Sequence, residues 1–368
     1  MKYETISKNL CEIEVQSGLI NDKEFLVKHL KPLGNCFAIV ADTIVAPLHG
    51  EKMLQMLSSM GLKTFLFTFP HGEKNKSRAV KEQIENQLFE KGLGRDTCLI
   101  ALGGGVTTDL AGYVAATYAR GIPLVMIPTT LLGMIDASIG GKTGVNVPYG
   151  KNLIGAIYQP RKILIDPSLL STLPLKELKN GVVEMIKHGL IADKKLFDEL
   201  ERDFREILTL KIDMKEIIIT NCRIKTAIVE QDEREGGKRN LLNLGHTLGH
   251  AIERLTDYTI PHGEAVAMGI LAEAHIAVEL GIFSQASWER IKSVFVLYEL
   301  PLKLKQSFSF DEWMEAMKLD KKSLEGDPRF VILKEIGIPE SFEGKYCSSV
   351  NKNLIKNALQ ETLDQCFV

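Results

Sequence analysis

The sequence predicts an α/β domain with a mostly parallel sheet, followed by an all-α domain. The length of 368 residues suits two domains of ordinary size. Up to about residue 170, short apolar runs alternate with amphipathic helical patterns, as in chains built from βαβ units. Beyond that point apolar side chains recur at helical spacing nearly throughout. We therefore expect the two domains to cover residues 1–170 and 171–368.

The apolar runs of the first half predict strands, and the amphipathic segments between them predict helices. CFAIVAD and KTFLFTF are short and apolar, and DTCLIALGGG runs directly into glycines. The strands are expected over residues 36–42, 63–69 and 96–105, with helices over 43–61 and 73–92. In the second half, helices are expected over 176–192, 194–210, 212–231, 240–256, 263–281 and 285–299.

Charge and apolar content exclude several classes of function. The 45 basic and 47 acidic residues give a net charge of −2, which argues against a nucleic acid or an anionic membrane as the main partner. The most apolar stretch, residues 122–139, contains Pro123, Pro128 and Asp136, so it does not predict a membrane span. The first ten residues lack the apolar core of a signal peptide, and the six cysteines form no CxxC pair. We therefore expect a cytoplasmic protein with free thiols.

A glycine-rich turn between a strand and a helix is the first sign of a binding site. In LIALGGGVTTDLAG, an apolar strand ends at Gly103, Gly104 and Gly105, and a helix follows at once. Free N–H groups at a helix N-terminus bind phosphate, and glycines let the backbone approach it closely. The spacing differs from the GxGxxG of the common dinucleotide motif, so a plain strand–helix turn is the alternative interpretation.

Polar residues at neighbouring strand ends strengthen the nucleotide interpretation. Asp42 ends an early strand, where it is placed to bind a ribose hydroxyl or to cap the next helix. The turn PHGEKNKS carries Glu73 and Lys76, and the turn PTTLLGMID carries Thr129 and Thr130. Because the carboxyl ends of parallel strands meet at one edge of a sheet, we expect these side chains to converge.

Histidines and a glutamate in the helical half indicate a metal site. LLNLGHTLGHAIE places His246 and His250 four residues apart, on one helix face. PHGEAVAMG contributes His262, and NGVVEMIKHG contributes Glu184 and His188. Two imidazoles with one carboxylate are a common ligand set of catalytic zinc, whereas a single histidine is more often a hydrogen-bonded core residue. Spacing alone does not choose the ligands among these residues.

Basic side chains in glycine-rich loops indicate an anionic substrate. Lys142 lies in GGKTGVN, and Lys151 and Asn152 lie in GKNLIGA. Lysines in such loops usually hold phosphate or carboxylate groups. The charged stretch EQDEREGGKRN is expected to be a solvated loop for most of its members. Arg239 and Asn243 are the exceptions, because they precede His246 closely enough to share its site.

Several motifs in a fixed order resemble those of the 3-dehydroquinate synthases, among the sugar phosphate cyclases. The similar stretches, from about Asp42 to Lys322, are PHGEKNKS, GGGVTTDLAG, ATYARGIP, PTTLLGMIDASIGGKTGVN, GKNLIGAIYQP, NGVVEMIKHGLI, DEREGGKRNLLNLGHTLGHAIE, PHGEAVAMG and MKLDKK. The resemblance implies a dehydroquinate synthase-like fold, with a Rossmann-like NAD-binding domain before a helical metal- and substrate-binding domain. One position departs from the family pattern, since Thr108 stands where the glycine motif usually has glycine, and this bears on NAD affinity.

The resemblance also implies roles for individual residues. The implied metal ligands are Glu184, His246 and His262, which leaves His250 as a substrate or proton-relay residue and His188 as a core residue. Arg120 matches an arginine that reaches the substrate phosphate from a neighbouring subunit. The other implied substrate contacts are Asp136, Lys142, Asn152, Lys187, Lys225, Arg239, Asn243 and Lys321, with Lys322 as the alternative to Lys321. The implied NAD contacts are Asp42, Glu73, Lys76, Gly104, Gly105, Val106, Asp109, Thr129, Thr130, Leu132, Lys151 and Thr172.

The implied reaction converts 3-deoxy-D-arabino-heptulosonate 7-phosphate to 3-dehydroquinate and phosphate in the shikimate pathway. It requires NAD, which removes and returns one hydride, and a divalent metal, zinc or alternatively cobalt, which polarises the oxidised hydroxyl. Phosphate elimination lies between the two hydride transfers, and an intramolecular aldol step closes the ring. The implied partners are the sugar phosphate and a second copy of the chain in a homodimer. The alternatives are a cyclase of another sugar phosphate and an NAD- and metal-dependent polyol dehydrogenase.

Overall fold

The protein forms two compact units. The computed structural model describes residues 1–4, 10–318, 327–342 and 345–367. The first unit contains Met1–Leu178 together with Asp213–Glu230, and the second contains Lys179–Ile212 and the chain from Gln231 onward. A helix from the C-terminal half of the sequence therefore belongs to the first unit, although it lies well beyond residue 170.

The first unit is built on a mostly parallel sheet. Its strands are β1 (Lys2–Glu4), β2 (Leu10–Val15), β3 (Cys36–Asp42), β4 (Lys63–Phe69), β5 (Thr97–Gly103), β6 (Leu124–Pro128), β7 (Lys142–Val147), β8 (Gly150–Ile157) and β9 (Lys162–Ile165). Seven of these form one sheet in the order β1-β2-β9-β6-β5-β3-β4, and all neighbouring strands in it are parallel except β1 and β2. Strands β3, β5 and β6 are buried along their whole length, which explains their continuous apolar sequences. Strands β7 and β8 form a separate antiparallel hairpin.

Helices cover the rest of the first unit and dominate the second. In chain order they are α1 (Lys23–Leu30), α2 (Glu51–Ser59), α3 (Arg78–Glu90), α4 (Gly105–Thr117), α5 (Leu175–Ala192), α6 (Lys194–Arg202), α7 (Phe204–Leu208), α8 (Met214–Gln231), α9 (His246–Leu255), α10 (His262–Glu279), α11 (Gln285–Leu297), α12 (Phe310–Lys318) and α13 (Lys352–Leu363). A short ribbon of β10 (Leu333–Glu335) and β11 (Ile338–Pro339) accompanies the helices of the second unit. Among the residues with described positions, no helix has the length and apolar character needed to cross a bilayer.

Helix α10 is the centre of the second unit. It contacts α9, α11 and α13, and thirteen of its residues are buried. A helix that is apolar around its whole circumference is typical of such a central position. This helix begins at His262, so the packing of the helix determines where this predicted site residue lies.

The structure confirms the predicted fold class and the bounds of β3 and β4, while three predicted helices are interrupted or begin later. The helix expected over 73–92 begins at Arg78 as α3. The helix expected over 194–210 is divided into α6 and α7, because Asp203 leaves the helical conformation. The helix expected over 240–256 begins only at His246. Gly245 precedes it with φ of 76°, a left-handed conformation that glycine adopts without strain. Single residues cause these breaks without changing the helical spacing of apolar residues, so the spacing does not predict them.

Two ion pairs that join three neighbouring strands give a prediction about the pH dependence of stability. Lys162 on β9 and Lys2 on β1 both contact the carboxylate of Glu12 on β2, and they lower its pKa to about 2. A lowered pKa means that the stabilisation is complete above the ordinary glutamate value and is lost as the pH falls towards 2. We expect Glu12→Gln to lower the free energy of unfolding by about 1 kcal/mol at neutral pH and by much less at pH 2.

Urea denaturation at the two pH values measures this effect. Glu14→Gln, two residues further along β2, is the matched control and is expected to change little. An equal effect of Glu12→Gln at both pH values would show that packing, and not charge, accounts for the loss.

Candidate functional site

The carboxyl ends of β3 and β5 mark the point where the order of the sheet reverses. From β3 the chain passes to β4 on one side and then to β5 on the other. Ligands of open parallel sheets bind at such a point. Asp42 is the last residue of β3, and the glycines that end β5 lead directly into α4. The structure therefore places the predicted ribose-binding and phosphate-binding residues at the same edge of the sheet.

The turn from β5 to α4 has the form of a phosphate cradle. Gly104 precedes α4, and a Cβ atom added there would lie 2.9 Å from the Thr130 side chain. The first N–H groups of a helix have no partner within it, so those of Gly105 and Val106 suit an anionic ligand. Thr108, the departure from the family pattern, is fully buried and donates its hydroxyl to the backbone oxygen of Gly105, 3.1 Å away. Its polar group is thus engaged within the helix itself.

Asp42 forms a cap at the start of the following segment. One carboxylate oxygen accepts hydrogen bonds from the backbone N–H groups of Ile44 and Val45, at 2.8 and 3.0 Å. The other oxygen lies 3.9 Å from Nδ1 of His71. Both predicted roles of Asp42 are therefore compatible, because capping uses one oxygen and leaves the second directed elsewhere.

Lys76 connects several of the predicted cofactor and substrate residues. Its side chain is 5% exposed, pairs with the carboxylate of Asp109, and donates to Oδ1 of Asn152 at 2.6 Å. Burial raises the pKa of Asp109 above its ordinary value, and the Lys76 ammonium opposes this rise. Asn146, which the sequence analysis did not single out, donates to Glu73 Oε1 at 2.8 Å and accepts from the N–H of Asn152 at 3.0 Å.

The residues after β6 lie beside the glycine turn. The N–H of Thr129 donates to the backbone oxygen of Gly103 at 3.0 Å, and the hydroxyl of Thr130 accepts from the N–H of Gly133 at 3.0 Å. Leu132 belongs to the same short segment and is half-buried. These contacts hold the threonines in the turn next to the cradle.

Thr172 lies beside the segment that follows β3. Its hydroxyl lies 3.0 Å from Nε2 of His49, and both residues line a cavity of about 200 Å³. Burial lowers the pKa of His49, which favours the neutral ring at physiological pH. His49 could not be predicted from the sequence, because no spacing rule links it to a residue 123 positions away.

In the second unit, Glu184 is the centre of a group of potential metal ligands. Glu184 lies on α5, is fully buried, and forms an ion pair with Lys187 one turn further along the same helix. Nε2 of His246 lies 3.6 Å from Oε1 of Glu184, and Nε2 of His262 lies 3.8 Å from the same oxygen. One ligand atom from each of these three residues lies within 4.8 Å of the others. Helices α5, α9 and α10 thus each contribute one residue.

The chemistry of this group fits a divalent metal. Apart from the ion pair with Lys187, neither oxygen of Glu184 accepts a hydrogen bond from the described residues. A fully buried carboxylate is costly unless cations or donors compensate it. One carboxylate oxygen and two imidazole nitrogens also form a donor set that zinc binds in catalytic sites. The structure brings these three residues together, and their role as ligands stays a prediction.

His250 and His188 lie in different surroundings. The ring of His250 lies 5.4 Å from that of His246 and 6.2 Å from that of His262, measured between centroids. His188 is fully buried on α5 and is not part of the potential metal-binding groups that the described residues form. A substrate or relay role for His250 and a core role for His188 agree with these positions.

The predicted cationic contacts are held in place by polar neighbours. In the first unit, Lys225 on α8 is 6% exposed and donates to both the carboxylate and the backbone oxygen of Asp136. In the second unit, Arg239 is 1% exposed and donates to the backbone oxygen of Glu233 at 2.5 Å. Two predicted substrate contacts, Lys225 and Asp136, are therefore direct partners.

The stretch before α9 is more ordered than the expected solvated loop. The carboxylate of Asp232 accepts the N–H groups of Gly236, Gly237 and Arg239 at 2.7 to 2.9 Å. Glu235, which the sequence analysis passed over, accepts a hydrogen bond from Asn243 Nδ2 at 2.8 Å. The alternation of charged residues and glycines is consistent with a solvated loop, and the ordered turn is visible only in these local hydrogen bonds.

The remaining predicted residues are more exposed. Lys142 and Arg120 are exposed, and Lys151 is half-buried. Arg120 has φ of 67°, next to Ala119 with φ of 49°, so this turn adopts a conformation that is unfavourable for residues other than glycine. Lys321 and its alternative Lys322 lie outside the described residues.

Comparisons with known proteins agree with this arrangement. Residues 66–180 match the family described as 3-dehydroquinate synthase N-terminal, and residues 181–323 match 3-dehydroquinate synthase C-terminal. A 3-dehydroquinate synthase of Desulforamulus reducens is 44% identical over 315 residues, which are 85% of this chain and 88% of that protein.

The chain belongs to the 3-dehydroquinate synthase family. Membership confirms the predicted family and the predicted enzyme, a 3-dehydroquinate synthase of the shikimate pathway, by homology over most of the chain.

Two solved structures extend the likeness to the fold. A 2-deoxy-scyllo-inosose synthase has a TM-score of 0.89 at 24% identity, covering 99% of this chain and 100% of that one. A 2-epi-5-epi-valiolone synthase of Streptomyces hygroscopicus subsp. jinggangensis, described with NAD⁺ and Zn²⁺ bound, has a TM-score of 0.86 at 28% identity, covering 95% and 96%.

Proposed function

We propose that this member of the 3-dehydroquinate synthase family converts 3-deoxy-D-arabino-heptulosonate 7-phosphate to 3-dehydroquinate and phosphate, with NAD⁺ and one divalent metal ion. The observation that carries the proposal is the group of Glu184, His246 and His262, in a chain 44% identical to a 3-dehydroquinate synthase. When bound, NAD⁺ supplies reversible hydride transfer, and the metal supplies Lewis-acid polarisation of a substrate hydroxyl.

The first unit supplies the residues that we propose for NAD. The backbone N–H groups at the start of α4 bind the pyrophosphate, since they are free of helical partners and approachable through Gly104. The carboxylate of Asp42 accepts a ribose hydroxyl while it caps the following segment. Lys76 holds Asp109 and Asn152 in place from a buried position. Glu73, Thr129, Thr130, Leu132, Lys151 and Thr172 complete the proposed set.

The proposed metal is zinc, with cobalt as the alternative. Glu184, His246 and His262 are the proposed ligands, and the buried Lys187 beside Glu184 neutralises part of the local negative charge. Support for zinc comes from the donor set itself and from the zinc-bound structure of the 2-epi-5-epi-valiolone synthase.

The proposed substrate contacts are cationic and amide side chains, which suit an anionic substrate. We assign Lys142, Asn152 and Lys187 to the phosphate, because ammonium and amide donors stabilise the charge of a leaving phosphate. Arg239 and Asn243 are assigned to the substrate carboxylate and hydroxyls, held by Glu233 and Glu235. The buried pair of Lys225 and Asp136 orients a further part of the substrate. His250 moves a proton at the ring nitrogen that faces the substrate.

A homodimer and a cytoplasmic location are part of the proposal. Arg120 is exposed in a strained turn, which suits an arginine that acts on a neighbouring subunit's substrate. Tyr149, Leu153 and Ile157 give the hairpin β7–β8 an exposed apolar surface that a second copy could cover. The cysteines within the described residues are free thiols, as in proteins of a reducing compartment.

Phosphate release tests the function directly. Purified protein with zinc, the heptulosonate phosphate and far less NAD⁺ than substrate is expected to release one phosphate per substrate, without accumulation of NADH. Many turnovers per NAD⁺ are expected, because the cofactor regains its oxidised form in each cycle. Phosphate release from sedoheptulose 7-phosphate instead would support the cyclase of another sugar phosphate. Stoichiometric NADH without phosphate would support a polyol dehydrogenase and contradict the proposal.

A further inference from the structure

We propose that Glu253 is a positioning residue that fixes the ring of His262 so that Nε2 of that ring faces Glu184. This inference deepens the proposed function, since it rests on Glu184, His246 and His262 forming a metal site. Glu253 belongs neither to the proposed ligands nor to the proposed substrate contacts. It lies in the GHAIE part of α9, at residues 249–253.

The two ring nitrogens of His262 have different neighbours. Nε2 lies 3.8 Å from Oε1 of Glu184, whereas Nδ1 lies 3.4 Å from Oε2 of Glu253. The imidazole thus stands between two carboxylates, one on α5 and one on α9. A neutral imidazole with its proton on Nδ1 donates to Glu253 and carries its lone pair on Nε2, the nitrogen nearer Glu184, where it suits a metal ion.

The burial of Glu253 makes its hydrogen bond with His262 energetically important. The side chain of Glu253 is 4% exposed, and that of His262 is 32% exposed. A carboxylate with so little access to water is stable only where donors compensate its charge. The ring N–H of His262 is one such donor, and it lies on the side of the ring away from Glu184.

His246 shows the same arrangement with a different acceptor. Its Nδ1 lies 3.0 Å from the backbone oxygen of Leu244, and its Nε2 lies 3.6 Å from Oε1 of Glu184. Both imidazoles therefore have Nδ1 next to a fixed acceptor and Nε2 next to the same carboxylate oxygen. A carboxylate behind a metal-binding histidine fixes its tautomer and makes the ring a stronger donor than a carbonyl does.

An alternative interpretation of the same residues is that they form a second metal site. His250, Glu253 and His262 also offer ligand atoms within 4.8 Å of one another. Along α9, His250 and Glu253 follow His246 at intervals of four and three residues, so all three share one face. We favour the positioning role, because a metal ion on Nδ1 of His262 would displace the N–H hydrogen that bonds to Glu253. The number of metal ions bound per chain separates the two readings.

Metal affinity of the full-length protein tests the proposal without reference to catalysis. Zinc affinity is measured by competition with a chromogenic chelator for the wild type, Glu253→Ala and Glu253→Gln. We expect Glu253→Ala to weaken zinc binding by about 10- to 100-fold. Glu253→Gln is expected to recover part of this loss, because its amide oxygen accepts the N–H but carries no charge. Glu279→Gln, at the exposed end of α10, is the control and is expected to bind as the wild type does.

Two further measurements exclude a merely structural effect. The visible spectrum of the cobalt-loaded protein should change in Glu253→Ala, because the orientation of one ligand changes, while a loss of packing alone would lower stability and leave the spectrum unaltered. In the wild type with ¹⁵N-labelled histidine, NMR of the zinc-loaded protein should show the His262 proton on Nδ1. The latter result does not depend on whether any variant folds.

Several outcomes would overturn the proposal. Wild-type affinity in both Glu253 variants, two zinc ions per chain, or a proton on Nε2 of His262 would each contradict the positioning role. A wild-type protein that binds no zinc would contradict the proposed metal site itself, and so distinguishes failure of the proposed function from failure of this inference.

Discussion

Replacing Glu184 by alanine is expected to abolish metal binding and turnover together. Glu184 is fully buried and is the one carboxylate in its group, with an imidazole nitrogen of His246 and one of His262 within 4 Å of its Oε1. Its removal takes away the anionic ligand and leaves the buried Lys187 ammonium without this partner. We expect metal affinity to fall by more than about 100-fold, beyond the range seen for residues that only position a ligand. Zinc content after dialysis and phosphate release measure the two effects.

His188→Ala is the matched control for this prediction. His188 lies one helical turn beyond Glu184 on α5 and is equally buried. We expect the variant to lose some stability, because its side chain fills a core position, while keeping its metal and most of its activity. If His188→Ala lost the metal and Glu184→Ala kept it, the proposed ligand set would be wrong.

Gly269→Ala is expected to destabilise the protein strongly, although helix propensity alone predicts the opposite. A Cβ atom added to Gly269 on α10 would lie 2.0 Å from the backbone oxygen of Gly245 and 2.9 Å from the N–H nitrogen of Gly249. Backbone atoms do not yield as a flexible side chain would, so α9 and α10 would have to separate. We expect a loss of about 3 kcal/mol in the free energy of unfolding, the upper part of the range for overpacked cores. Helix propensity alone would raise the free energy of unfolding by about 1 kcal/mol.

Chemical denaturation of Gly269→Ala decides between these signs. Glu279→Ala, at the exposed end of the same helix, is the control and is expected to stay close to the wild type. Zinc affinity should fall together with stability, because Gly245 immediately precedes the proposed ligand His246. An increase in stability would show that the two helices lie further apart than the structure indicates.

Much of the fold follows from local sequence patterns. The bounds of β3 agree with the apolar run CFAIVAD, because a strand buried in a parallel sheet contains few polar residues. Those of β4 agree with KTFLFTF, although this strand lies at the end of the sheet and is only partly buried. The glycine-rich turn after β5 was equally visible, since three consecutive glycines follow an apolar strand, and its role in phosphate binding stays a proposal. The helix breaks at Asp203 and Gly245 were missed, because one residue can end a helix without altering the period around it.

At the candidate metal site, local sequence patterns do not identify which residues are the ligands. Spacing placed His246 and His250 on one face of a helix, and it offered Glu184, His188 and His262 with equal justification. The family resemblance, and not the spacing, selected Glu184, His246 and His262. The structure brings these three together from α5, α9 and α10, and their role as ligands stays a proposal. Glu253 could have been suspected from its helical spacing to His246 and His250, but its contact with His262 could not.

The sequence by itself determined the fold class, the position of the glycine-rich turn and the family, because these depend on short segments whose residue types and order are specific. Tertiary structure decided which imidazole nitrogen faces Glu184, which carboxylate lies behind His262, and why Gly269 has no room for a side chain. These features join residues from different helices, and their geometry depends on how the helices pack. A period of 3.6 residues describes one helix and contains no information about its neighbours.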